Sequence, residues 1–372
     1  MHIGIDARLP YYRMGGISRY VIQLVEALAA LGDDTQYTVF HSRKDSRDYT
    51  PAQANFSRRR LWTPSHHRFE RWLLSLELLR QDLDILHSPD FIPPRRGGRR
   101  HVITVHDLNF LYYPQFLTKE SRRHYAEQIQ WAVSHADGII ADSEHTRQDI
   151  IRELNVEPQR VHAVPLAADP LFSRAANDES ESAVRETLDR YEVEPGFILF
   201  VGTIEPRKNL ALLLESYAML RRQTASAPRL VLVGSKGWLF DEIFAAIETY
   251  SLEEHVLHLQ EVDDRRLAHL YVSAGLLALP SFYEGFGLPV LEAMHCRCPV
   301  IASNRASLPE VVGEAGVLLS PEDPESWAAG MQTVLSNADL REEMVRAGLK
   351  QAQTFSWERT ARATRSVYEQ IA

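Results

Sequence analysis

Short runs of β-branched and aliphatic residues alternate with longer amphipathic stretches along the whole 372-residue chain. HIGID opens the series, followed by a helical period over 17–31, then YTVFH, DILHS and HVITVH, a helix over 121–134, GIIAD, a helix over 146–154 and VHAVP. The pattern restarts at FILFVG (197–202). It continues through helices over 209–222, 241–250, 265–273 and 288–295, interleaved with RLVLVG, VLHL, LLALP, PVIAS and GVLL. This is the βαβ rhythm. Strands that are apolar at every position belong to parallel sheets covered by helices on both faces. Each series therefore predicts a doubly wound α/β sheet, which binds ligands beyond the carboxyl ends of its strands.

A polar stretch around NDESES separates the two series. We place an N-terminal Rossmann-like domain over 1–172, a linker over 173–195 and a C-terminal Rossmann-like domain over 196–355. The helical period of SWERTARATRSVYEQIA predicts a closing helix over about 356–372, packed at the domain junction or back on the first domain. The length suits two domains of roughly 150 to 200 residues, and two facing sheets imply a cleft.

Composition adds exclusions more than identity. An apolar share of 45% and a charged share of 24% are those of a globular chain. No window approaches the roughly 18 apolar residues of a membrane span, and the start MHIGIDARLP lacks a signal-peptide layout. The expectation is a cytoplasmic protein. The net charge of −9 is uneven: residues 1–170 hold 22 Lys and Arg against 21 Asp and Glu, and residues 171–372 hold 19 against 29. An acidic second half speaks against a nucleic-acid partner. Cys296 and Cys298, beside His295, are the only cysteines. No further ligands stand at zinc spacings, so neither a structural metal nor a disulfide is expected.

The chemistry concentrates after two strands. Ser281 to Glu292 (SFYEGFGLPVLE) follows LLALP and runs into a helix. Glu284 lies in the loop and Glu292 about one turn into the helix. Gly285 and Gly287 permit close backbone approach, and Pro289 suits a first helical turn. The amides of Phe286, Gly287 and Leu288 would then point at an anion; a glycine-capped turn with surface glutamates is the plain alternative. GTIEPRKN (202–209) follows FILFVG, with Asn209 as the expected N-cap. Arg207 and Lys208 there match a departing diphosphate, or they form an ordinary solvated loop edge. In the first half, Gly15-Gly16 precedes a helix beyond a loop carrying Arg8 and Arg13, and forms either an anion nest or a simple turn. His106-Asp107, His87 and Ser143-Glu144 end other strands. A histidine so placed either contacts a ligand hydroxyl or phosphate or is a satisfied structural group.

In this order, HIGID with Gly15-Gly16, His106-Asp107, the loop after FILFVG, EGFGLPVLEA and FSWERTA (355–361) resemble the retaining glycosyltransferases of GT-B fold that carry an E-x7-E motif, glycosyltransferase family 4, here at Glu284 to Glu292. The resemblance spans essentially the whole chain and implies two Rossmann-like domains facing across a cleft, with a nucleotide-diphosphate sugar as donor. It further implies that Glu292 holds the ribose and that Glu284, with Gly285 and the amides of Phe286, Gly287 and Leu288, orients the transferred sugar. Lys208 matches the family's diphosphate lysine. Thr203, after Gly202, stands where many members carry the partner arginine, and Arg207 is the substitute. Gly15 and Gly16 approach the diphosphate, and His106 the sugar's 6-hydroxyl. Glu284, His106, Arg207 and Lys208 are thus the expected catalytic group, with no metal or other cofactor and no enzyme base.

The motif variants look most like bacterial surface-polysaccharide and lipopolysaccharide enzymes, which points to GDP-mannose and to a saccharide or lipid-linked oligosaccharide acceptor. UDP-glucose, UDP-N-acetylglucosamine and GDP-rhamnose stay open as donors. Phe56 to Leu73 combines arginines with aromatic residues, and Arg58, Arg59, Arg60, Trp62, Arg68, Arg71 and Trp72 suit the anionic inner face of the cell membrane; a solvated loop is the alternative. Epimerases and hydrolases of sugar nucleotides share the fold, and a non-catalytic sugar-nucleotide binder would share the cleft. A nicotinamide dehydrogenase would need a G-x-G-x-x-G after HIGID or FILFVG, and none is there.

Overall fold

The computed structural model describes residues 1–12, 14–67, 69–116, 119–224 and 226–372, with 119–124 described by backbone alone. Arg13 and Arg68 lie outside the described residues. The chain forms two compact units, Met1–Leu166 with Ser356–Ala372, and Ala167–Phe355.

In unit 1, β1 (His2–Asp6), β2 (Gln36–Ser42), β3 (Phe56–Leu61), β4 (Ile85–Ser88), β5 (Arg100–Val105), β6 (Gly138–Ala141) and β7 (Val161–Ala163) alternate with helices. The helices are α1 (Leu9–Tyr12), α2 (Gly16–Ala30), α3 (Glu70–Leu78), α4 (Asn109–Tyr112), α5 (Lys119–His135) and α6 (Glu144–Leu154). Unit 2 contains α7 (Pro170–Asp178), α8 (Glu181–Tyr191), β8 (Ile198–Val201), α9 (Leu210–Gln223), β9 (Leu230–Val233), α10 (Asp241–Thr249) and β10 (Val256–Leu259). It continues with α11 (Asp264–Ser273), β11 (Leu276–Leu279), α12 (Leu288–His295), β12 (Val300–Ser303), α13 (Leu308–Val312), β13 (Val317–Leu319), α14 (Pro324–Ser336) and α15 (Ala338–Ala352). The chain then re-enters unit 1 as α16 (Trp357–Ile371). Among the described residues no helix is long and apolar enough to cross a membrane.

Both sheets are parallel throughout. Their orders are β3-β2-β1-β4-β5-β6-β7 and β10-β9-β8-β11-β12-β13. Chain order therefore reverses between β1 and β4 in unit 1, and between β8 and β11 in unit 2. β8, β9 and β11 are buried at every position, because helices cover both faces.

One expectation needs correction. The stretch 173–195 is not a linker: it holds most of α7 and all of α8, and both belong to unit 2. Its polar composition comes from helix ends. Asp169 caps α7 at the Leu171 amide with Pro170 in the first turn, and Ser180 caps α8 at the Ala183 amide. Phe172, Ala175, Thr187 and Leu188 face inward, and Thr187 Oγ1 lies 2.7 Å from His269 Nδ1 on α11. Phe56–Leu61, for which a solvated loop is the alternative reading, forms the edge strand β3, paired to β2 along six residues.

α16 returns to unit 1 by burying Thr360, Ala361, Thr364, Val367 and Tyr368, one stripe of an amphipathic helix. Thr360 Oγ1 donates to Pro165 O at 2.7 Å, and Arg365 pairs with Asp33 at 3.0 Å. At its far end, Tyr368 Oη lies 2.7 Å from His87 Nδ1. His87 Nε2 lies 2.9 Å from Thr104 Oγ1, which in turn meets Tyr20 Oη at 3.0 Å. Burial pushes His87 down to about 3, so the ring is neutral and needs both partners. Tyr368→Phe leaves one ring nitrogen unsatisfied, at a cost of about 1–3 kcal/mol. Hydrogen exchange is expected to quicken at α16 and β4 by about one to two orders of magnitude and to stay unchanged in β8–β13; uniform protection would show that the bond contributes nothing.

Candidate functional site

In unit 2 the loops following β8 and β11 leave the sheet where chain order reverses, the position at which such sheets open a crevice at their carboxyl edge. Gly202 follows β8 with φ +155, a conformation side chains rarely adopt. Thr203 follows it, and a single 3₁₀ turn over Pro206–Lys208 ends at Asn209. Asn209 occupies the N-cap position of α9 with φ 55 but makes no side-chain cap. Its amide instead donates to Pro280 O at 3.2 Å and Pro321 O at 2.8 Å, tying the first loop to the second. The Phe282 amide donates to Arg207 O at 2.9 Å, and Arg207 Nη1 donates to Tyr283 O at 2.6 Å.

These bonds bring the charges together. Lys208 Nζ lies 2.5 Å from Glu284 Oε1, and Arg207 Nη1 lies 3.1 Å from Glu284 Oε2. Glu205 anchors the far side of the Arg207 guanidinium at 2.6 Å, and Ser281 Oγ donates to Glu284 Oε1 at 2.6 Å. Lys208 and Glu284 are each only 7% exposed, so Lys208 is not the solvated loop-edge residue that its neighbourhood in the sequence suggests. Burial pushes the Glu284 carboxyl up, but Lys208 and Arg207 outweigh it and hold it at about 2. Burial works against the charge on Lys208 as well; the short contact to an ionised Glu284 decides for the charged pair.

The second loop, through Gly285 and Phe286, feeds α12. Gly287 sits at its N-cap with φ +113, and a side chain there would begin 2.8 Å from Leu308 Cδ2. Pro289 brings no N–H to the first turn and the Val290 amide donates to Gly287 O at 2.9 Å, while the aligned peptides of α12 aim its positive end along the loop. Ser307 Oγ braces the turn, lying 2.8 Å from Glu284 O and 2.7 Å from Phe286 O. In the next turn Glu292 is buried, and Tyr271 Oη donates to its Oε2 at 2.8 Å. Glu205, Tyr271 and Ser307 carry no role in the sequence pattern. Glu205 could have been suspected as a carboxylate two residues before an arginine at a strand's end, whereas Tyr271 and Ser307 arrive from distant elements and leave no signal.

The candidates of unit 1 are arranged differently. Gly15 is the extended N-cap of α2, and a Cβ on Gly16 would meet nothing within 4 Å. Arg8 is fully buried, paired to Asp6 at 2.6 Å and Glu70 at 2.5 Å, and is no loop cation. His106 has both ring nitrogens engaged: Nδ1 lies 2.7 Å from Asp142 Oδ2 and Nε2 lies 2.8 Å from Pro89 O. Burial opposes its charge, yet Asp142 raises it to about 9. A ligand hydroxyl would have to displace the Pro89 carbonyl. His87 and Ser143-Glu144 are structural, the first buried and neutral, the second a helix cap and an ion pair to Arg147. Cys296 and Cys298 are buried free thiols, and no cluster of metal-ligating side chains occurs among the described residues.

Two parallel doubly wound sheets of this order, the second with charged loops at its point of reversal, are the architecture of the GT-B fold. Residues 14–170 match the model of Glycosyltransferase Family 4 and residues 188–351 that of Glycosyl transferases group 1. O-antigen chain mannosyltransferase B of Escherichia coli is 32% identical over 378 residues, covering 96% of this chain and 97% of that protein. The chain belongs to this glycosyltransferase family. Among solved structures, sucrose-phosphate synthase from Thermosynechococcus elongatus superposes with a TM-score of 0.77 at 21% identity, over 99% of this chain and 98% of its own. Anabaena Alr3699/HepE in complex with UDP and glucose gives 0.75 at 16% identity, over 98% of both chains.

The Glu284 pairing has a pH signature. An acid depressed from its ordinary 4.5 to about 2 contributes stability that is complete above the ordinary value and lost as pH falls through the folded one. Glu284→Gln is expected to flatten the fall in thermal stability between about pH 4.5 and 2 relative to the unsubstituted protein. Superimposable curves would mean that the carboxylate is not paired.

Proposed function

We propose that the chain is a retaining mannosyltransferase that takes mannose from GDP-mannose and adds it to a saccharide or lipid-linked oligosaccharide in surface-polysaccharide assembly. The observation that carries this reading is the convergence of Arg207, Lys208 and Glu284 at the reversal point of unit 2. The near full-length resemblance to a mannosyltransferase supports the choice of sugar.

In this proposal the diphosphate lies along Arg207, Lys208 and the start of α12, beside Gly202 and Thr203. Lys208 has three N–H donors and the Glu284 carboxylate takes one, so the pairing orients the ammonium without exhausting it. Glu292, steadied by Tyr271, receives the ribose hydroxyls. Glu284 and the amides of Phe286, Gly287 and Leu288, beside Gly285, orient the mannose. For unit 1 the proposal assigns Gly15 and Gly16 to the diphosphate and His106 to the 6-hydroxyl. As the bond from the anomeric carbon to phosphate breaks, the acceptor oxygen bonds to the same face, and its proton passes to the departing phosphate oxygen. No enzyme base is assigned. Charge developing on the diphosphate falls on two cations fixed in advance, which is where preorganised electrostatics lowers a barrier, and no metal ion is assigned to it.

A panel of nucleotides and nucleotide sugars tests the donor. At about 100 times its dissociation constant a ligand stabilises by about 2.7 kcal/mol, so GDP and GDP-mannose are expected to raise the melting temperature by several degrees and UDP compounds are not. A uridine preference would overturn the donor, and donor consumption that does not depend on an acceptor would point to an epimerase or hydrolase. Lys208→Met is expected to lower turnover by about 10²–10³-fold; unchanged turnover would remove the lysine from the reaction.

Gly16 gives a separate test. Because a Cβ at this position meets no described atom within 4 Å, Gly16→Val should leave unfolding within about 1 kcal/mol of the unsubstituted protein while raising KM for the donor severalfold. An unchanged KM would take Gly16 out of the donor site.

A further inference from the structure

The two faces of α3 differ in an unusual sense. Glu70, Leu74 and Leu78, four residues apart, point inward, and the two leucines join Phe40, Leu61, Leu83 and Leu86 in a closed cluster. The opposite face should be polar in a water-exposed helix. It instead carries Phe69, Trp72, Leu73, Leu76 and Leu79, spaced by three and four residues and 48%, 56%, 44%, 66% and 64% exposed. Trp62, just upstream, is 69% exposed. Half of the twelve large apolar side chains exposed among the described residues thus fall within 62–79.

Arginines flank this stripe, and the exposed Asp82 beyond it pairs with Arg99 at 3.1 Å. Arg43 stacks on Trp62 and Arg95 on Trp72, each 3.7 Å from the ring centroid. Arg80 and Arg96 are exposed nearby in sequence. The two carboxylates of 69–80 are both engaged: Glu70 binds Arg8 at 2.5 Å, and Glu77 accepts from the Trp62 amide at 2.5 Å and from Thr63. Not every residue expected to face a membrane does so. Arg58 is held by Asp48 at 3.2 Å and by backbone carbonyls, and Arg71 stacks on Trp131 and donates to Gln128 O. Arg59 and Arg60 are exposed on the edge strand β3.

We propose that the outer face of α3 docks on an anionic lipid bilayer, with the stripe from Phe69 to Leu79 in the interfacial layer and the arginines on the phosphates. A nine-residue helix is too short to span, and one with an apolar face, tryptophan and flanking arginine lies in the plane of the interface. Charge complementarity selects the occupant. A second copy of this face would bring arginine against arginine, whereas anionic headgroups neutralise them. The docking rests on no donor or acceptor assignment. With a lipid-linked acceptor, as proposed above, it would present that acceptor at the membrane surface.

The test is vesicle flotation of the full chain at physiological salt, with phosphatidylcholine alone or with about one third phosphatidylglycerol. The protein is expected to float only with the anionic vesicles. Trp72→Ser with Leu76→Ser and Leu79→Ser, and separately Arg80→Glu with Arg95→Glu, are each expected to weaken partitioning by at least about tenfold. Because these side chains are exposed, both variants should keep the melting temperature and the turnover on a water-soluble acceptor. Equal partitioning to both vesicle types, or undiminished flotation of the triple variant, would overturn the proposal. A concentration-dependent dimer that the triple variant abolishes, with no flotation, would overturn it in favour of a second copy.

Discussion

The buried pairing of Glu284 with Lys208 and Arg207 is the contact on which the site depends. It spans two loops far apart in the chain that meet because β8 and β11 are neighbours. Taking such charges out of water is expensive unless geometry and extra hydrogen bonds compensate. Ser281, Glu205, the Tyr283 carbonyl and the Asn209 amide supply that compensation. The cations are therefore held in place by the fold, which is the property a leaving-group site needs. Removing any one of these supports would release a long side chain with several rotamers.

The two units use the same topology for different ends. In unit 2 the reversal point presents cations and the start of α12. In unit 1 the corresponding strand ends are occupied by internal pairs: Arg8 with Asp6 and Glu70, and His106 with Asp142. Glu70 lies at the start of α3, so the helix with the apolar outer face is anchored from inside by a buried charge pair. The same helix that closes the leucine cluster thereby offers a hydrophobic surface to the outside.

Much of this was legible in the chain. Uninterrupted apolar runs such as FILFV and LLAL can only be buried on both faces, and their alternation with helical periods leaves parallel doubly wound sheets as the outcome. Glu284, Gly287 and Glu292, and the Arg207-Lys208 pair, are also marked by spacing, because a loop ending in a helix start sets which groups converge. Composition misled at 173–195, where helix caps and a two-residue turn read as a linker, since Ser and Asp serve helix ends and loops alike.

What only the tertiary structure decided is which partner each charged group meets. Lys208 and Arg8 are alike in sequence as basic residues after a strand, yet one faces the other loop's glutamate and the other is sealed under α3. Tyr271 and Ser307 reach the E-x7-E segment from separate helices and loops, and no local pattern records such a meeting. The outward turn of Leu73, Leu76 and Leu79 was equally hidden, although Trp72 stood out by its basic and aromatic neighbours. An apolar residue on a short helix reads as core until the opposite face is seen to be filled by Leu74 and Leu78. Periodicity fixes the elements because backbone hydrogen bonding and burial are local or repetitive, whereas contacts between elements depend on distances in space that the order of residues does not contain.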